Sequence, residues 1–132
     1  MDSTIFKKLK AKPGMTAMLL YPPEEYPKYE DFTDVKESNN DFVHLFARSI
    51  ATLEEHFEEA TSAVADNGLL WVSYPKPSNR QIYDVNHEIL WHMAIARGWH
   101  SVSQVSLGKT WTAVLLKRND PGVVYEMNLR YI

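Results

Sequence analysis

A lysine held between two prolines is the first place in this chain where residue types and spacing could support chemistry. Lys76 sits in Tyr74-Pro75-Lys76-Pro77-Ser78-Asn79-Arg80, directly after the apolar run Leu69 to Ser73. The prolines stiffen the backbone on both sides of the amine. Such a run reads as a buried strand, and open α/β sheets bind ligands in the crevice beyond the carboxyl ends of their strands. Two other loops are expected at the same edge. One follows Tyr21 and reaches Tyr26, and the other holds Arg48 and Ser49. Lys76, Arg80 and Arg48 could supply a small basic pocket for an anionic ligand, walled by Tyr21, Tyr26 and Tyr74. The competing reading is that Pro75 and Pro77 only shape a loop and Lys76 is solvated.

Other chemistries find less support. With no cysteine, disulfides, thiol nucleophiles and zinc-thiolate sites are excluded. Ser49, Ser73 and Ser78 have no evident base partner in sequence, and none lies in a nucleophile-elbow motif. His87, Glu88 and His92 fall on one predicted helix. Glu88 and His92 can share a face, but the histidines are five apart rather than four, so the zinc-protease pattern is not met and no metal site is expected. His44 interrupts an apolar strand and reads as a satisfied core residue. His100 has no named partner. Phosphate-loop and dinucleotide glycine patterns are absent, and no cofactor is expected. The net charge of −3 offers no field for nucleic acid; Lys109, Lys117, Arg118 and Trp111 form only a small basic-aromatic group.

The elements that must position these residues follow from periodicity. The 132 residues suit one domain, and 45% hydrophobic content is enough for a core. A short helix is expected over residues 3–10, capped by Ser3, with Ile5, Phe6 and Leu9 on its apolar side. Met15 to Tyr21 and Phe42 to Ala47 read as buried parallel strands, with a further strand around Phe32 to Val35. A helix capped by Thr52, with Glu55 completing a capping box, carries Leu53, Phe57, Ala60 and Val64 at helical spacing. Gly68 suits a left-handed helix exit before the strand Leu69 to Tyr74. A second helix after Asp84 places Val85, Ile89, Met93 and Ala96 on one stripe and closes at Gly98. Trp99 to Leu107 and Trp111 to Arg118, joined by Gly108-Lys109-Thr110, form an antiparallel hairpin. From Val123 the chain alternates apolar and polar residues, which predicts a strand or an arm over residues 119–132 that could join two copies in a homodimer.

Together these spans predict a single-domain α/β protein over residues 1–118. It has a mostly parallel Rossmann-like sheet, helices on both faces and an antiparallel C-terminal hairpin. The start MDSTIFKKLK has no signal-like apolar region and nothing approaches the ~20 apolar residues of a membrane span. Cytoplasm is the expected compartment.

The motifs DFVHLFARS, NGLLWVSYPKPS, RGW and KTWTAVLLKR, with KKLKAKPGM near the start, resemble the uncharacterised bacterial family called domain of unknown function 3052. The resemblance covers Ile5 to about Arg118. It implies a cut-down class I methyltransferase-like fold, with residues 42–118 as its carboxyl half. Enzymes of that fold hold S-adenosylmethionine (SAM) with a glycine-rich loop after the first strand and an acid after the second. Here the first strand ends Tyr21-Pro22-Pro23-Glu24-Glu25, without glycine. Only about twenty residues lie between it and Phe42, where a strand-helix-strand unit needs about thirty. The expectation leans toward a non-catalytic binding or interaction module. The alternative is a divergent transferase or small-ligand enzyme using the crevice near Lys76.

Overall fold

The computed structural model describes residues 1–78 and 82–125. In chain order the elements are α1 (Ile5–Lys8), β1 (Ala17–Leu20), β2 (Asn40–Phe46), α2 (Ile50–Ala63), β3 (Val64–Pro75), α3 (His87–Ala96), β4 (Trp99–Leu107) and β5 (Trp111–Arg118). One five-stranded sheet has the order β1-β2-β3-β5-β4. β1, β2 and β3 run parallel, and the β4–β5 hairpin joins antiparallel to β3 through β5. The predicted mixed α/β sheet with a C-terminal hairpin is therefore observed.

Both faces of the sheet are covered, by different material. On the first face, alternate residues of the central strands, such as Val43, Leu45, Leu70, Val72 and Val114, pack against Leu53, Phe57 and Ala60 of α2 and Leu90, Met93 and Ala94 of α3. On the second face, Phe42, Phe46, Trp71 and Leu115 meet Ile5, Phe6 and Leu9 from the α1 segment. The rest of that cover is the connection from β1 to β2, whose Tyr26, Tyr29 and Phe32 pack on Phe6 and Phe42. Trp71 Nε1 donates to the Leu9 carbonyl at 2.9 Å, so the buried indole has its partner.

Several local expectations are corrected. Around Phe32 to Val35 there is only an isolated bridge, Thr16 to Thr33. Thr4, not Ser3, precedes α1, and it makes no side-chain cap. Helix α2 starts one turn earlier than the Thr52 reading: Ser49 is the N-cap, and its Oγ accepts from Thr52 N at 3.1 Å. Gly68 is not a helix exit. It lies inside β3, which follows α2 without a loop, and a Cβ there would meet the Asn40 carbonyl oxygen and Val64 Cγ2, each at 2.8 Å. Its requirement is close approach of backbone, where the register of β2 and β3 shifts. On α3 the buried stripe is His87, Leu90, Met93 and Ala94, while Ala96 is exposed. The described part of the tail turns back so that Tyr125 stacks on His100 at 3.9 Å; Glu126 to Ile132 lie outside the described residues. Among the described residues no helix is long and apolar enough to cross a membrane.

Candidate ligand-binding site

Parallel strands bring three loops to one edge of the sheet, those after Leu20, Phe46 and Pro75. Because β5 is antiparallel, its start at Trp111 and the hairpin turn Gly108-Lys109-Thr110 reach the same edge. A cavity of about 280 Å³ opens here on the first face, lined by Tyr74, Lys76, Pro77, Asn86, His87, Glu88 and Thr112. Register places it: Tyr74 and Thr112 are directly opposed across β3 and β5, and both are buried. The opposite wall is the first turn of α3, where the Asn86 side chain accepts from Ile89 N at 2.9 Å and caps the helix. His87, the first residue of α3, is only 4% exposed, so this wall is fixed by packing.

Burial sets the protonation of the two ionisable groups nearest the floor. It pushes the Tyr74 phenol up to about 12, so the hydroxyl keeps its proton at neutral pH. It lowers His87 from the ordinary imidazole value, which favours the neutral ring. Glu88 is on the rim, 3.8 Å from His92 one turn on.

The sequence-derived site residues divide among several positions. Tyr74 and Lys76 line the cavity. The Lys76 amine, however, is held by Ser106 Oγ and by the Gly108 carbonyl at 3.2 Å. Its backbone N–H donates to Thr110 O at 2.7 Å. Lys76 thus ties the exit of β3 to the hairpin turn. Arg48 is exposed, with its guanidinium 4.9 Å from the centre of the Trp111 ring on the second face. Ser49 caps α2 and also donates to Thr52 Oγ1 at 3.1 Å. Tyr21 has φ +59° and packs its ring 4.2 Å from His56 of α2. Arg80 lies outside the described residues.

Tyr26 belongs to a closed network on the second face. Its hydroxyl is 3.1 Å from His44 Nδ1, and His44 Nε2 is 2.6 Å from Ser73 Oγ. His44 and Ser73 are fully buried. Desolvation lowers the His44 pKa to about 3, so the ring is neutral, with one nitrogen donating to one hydroxyl and the other accepting from the second. The reading of His44 as a satisfied core residue agrees with this geometry. The reading of Ser73 as lacking a base partner is corrected. Its partner is on the neighbouring strand, where the register Phe46 to Ser73 brings two polar residues of apolar strands onto one face. Thr112 was missed altogether, and only its register against Tyr74 could have indicated it. His100 also has partners, Asn119 Oδ1 at 2.9 Å and the Tyr125 ring. Among the described residues no group of three or more potential metal ligands gathers.

No family model and no curated protein matches the chain, so membership of domain of unknown function 3052 is not shown. Solved structures do match. One is described as LepI in complex with SAM, at 9% identity and a TM-score of 0.54, covering 87% of this chain and 39% of that one. Another is described as a pericyclic reaction enzyme, at 10% identity and a TM-score of 0.53, with the same coverage. This chain is similar to both in fold. A Rossmann-like, methyltransferase-like fold is shared. The chain spans about two fifths of their length. These matches overturn the lean toward a non-catalytic protein. The fold extends over most of the chain in proteins described as an enzyme and as bound to SAM, so missing motifs are no ground for setting catalysis aside.

The residues after β1 do not fit SAM as the glycine-rich loop of that fold would. Pro22 and Pro23 offer no N–H groups. The left-handed Tyr21 packs its ring against His56. The cavity at the end of β3 lies elsewhere on the same edge.

Proposed function

We propose that this chain is a small-molecule enzyme, or the ligand-binding part of one, and that it uses the cavity beside Tyr74, His87 and Thr112. The carrying observation is that cavity's position. It opens at the carboxyl edge of a Rossmann-like sheet, between a strand end and a helix start, with two ionisable groups held in neutral forms. A protonated phenol can donate a hydrogen bond to an oxygen on which negative charge develops. Both ring nitrogens of His87 are closed off from solvent, so His87 shapes the wall, and polarisation of a ligand carbonyl falls to the Tyr74 hydroxyl. The likeness to proteins described as a pericyclic reaction enzyme and as LepI with SAM favours a catalytic reading over an interaction module.

The test is a thermal-shift screen with carbonyl metabolites, SAM and S-adenosylhomocysteine. A compound that binds only the folded state at about a hundred times its Kd adds roughly 2.7 kcal/mol of stability. The expected result is stabilisation by a carbonyl compound that disappears in His87→Gln and Tyr74→Phe while both variants stay folded. Stabilisation that survives both substitutions would place binding elsewhere and reject the reading.

A further inference from the structure

We propose that the cavity at the end of β3 selects a neutral ligand bearing a carbonyl-type acceptor, and discriminates against carboxylates and phosphates of the same shape. This rests on the reading of that cavity as the ligand site and specifies what it admits.

Among the described residues that line the cavity, Lys76 alone carries a fixed positive charge. Its amine is bound to Ser106 Oγ and the Gly108 carbonyl. To meet an anion in the cavity it would have to leave two oxygen partners. Glu88, also in the lining, is the one acid, and it stands in the first turn of α3. That carboxylate already complements the positive end of the helix dipole and repels a second negative charge. The Asn86 side-chain oxygen is committed to the cap of α3. Tyr74 and His87 complete the set; both are buried, and Tyr74 sits among apolar residues that disfavour charge. The remaining walls are Pro77 and the buried Thr112. An anion entering here would lose hydration without gaining a free cation from the described lining, which is unfavourable. A neutral carbonyl gives up much less hydration, and the Tyr74 hydroxyl can donate to it.

Matched probes of one shape test this: benzamide, benzoate and phenyl phosphate, titrated into the ¹⁵N-labelled full chain. The readout is the amide shifts of His87, Glu88 and Thr112. The expected result is that benzamide moves these amides and binds at least about tenfold more tightly than benzoate or phenyl phosphate. Tyr74→Phe should weaken benzamide. Equal or tighter binding of either anion at these amides overturns the proposed selectivity and leaves the site reading standing. If none of the three probes moves these amides, the selectivity and the site reading both fail.

Discussion

His44 on β2 and Tyr74 on β3 are buried ionisable side chains on paired strands, and they face opposite sides of the sheet. His44 sits in a closed chain between Tyr26 and Ser73, under the aromatic connection from β1 to β2. Tyr74 sits among aliphatic residues under α2 and α3, but at the sheet edge, where it borders a cavity. Both have strongly shifted pKa values, so the shift alone does not separate them. What separates them is the space alongside. A buried group whose polar atoms are all taken by neighbours holds the fold together. A buried group at a strand end beside an open volume can serve a ligand.

The largest effect is expected from His44→Leu. That substitution leaves the Tyr26 and Ser73 hydroxyls without their shared partner, and the loss should be about 2–4 kcal/mol. Urea unfolding checks this, and a loss under about 1 kcal/mol would mean that the network does not hold the second face. Acid comes next. The His44 pKa is about 3 in the folded chain, against an ordinary value of 6.5. Because the folded value is depressed, its contribution is fully present above pH 6.5. It is lost as pH falls toward 3, at about 1.4 kcal/mol per pH unit. Roughly 2 kcal/mol should be gone by about pH 5. Unfolding free energies measured from pH 7 to 5 should fall accordingly, and His44→Gln should flatten the slope. An equal slope in the variant would assign the acid sensitivity to other groups. The smallest effect on stability is expected at Tyr74→Phe, a change of at most about 1 kcal/mol, since it removes one hydroxyl at a cavity wall. There the difference should appear in ligand binding instead.

How much of this was legible in the sequence depended on the range of the interaction. The strands at β1, β2 and the hairpin and the existence of both longer helices follow from local periodicity, whereas the strand expected at Phe32 to Val35 is absent and β3 begins at Val64 rather than Leu69. The sequence pattern marks Ser49 as a ligand residue and Thr52 as the cap. Both side chains can cap a helix, and the choice was made by tertiary contacts such as the Ile50 N–H donating to Asp84 Oδ1 at 2.9 Å. Gly68 was misread for a related reason. A glycine after a helix usually marks a left-handed exit, but here the neighbouring strand's backbone required the missing side chain. The loop after Pro75 was correctly located at the carboxyl edge. The direction of the Lys76 amine was not legible, because its partners lie thirty or more residues along the chain, in the hairpin. For the same reason Thr112 and the pairing of Ser73 with His44 emerged only once strand register was known.

We propose that this protein meets its ligand at the end of β3 and not at the end of β1. A crystal structure with a compound that raises the melting temperature decides between the two. The compound is expected between Tyr74, His87 and Thr112. A compound seated against Tyr21 and Arg48, with the β3 cavity empty, would overturn the proposal.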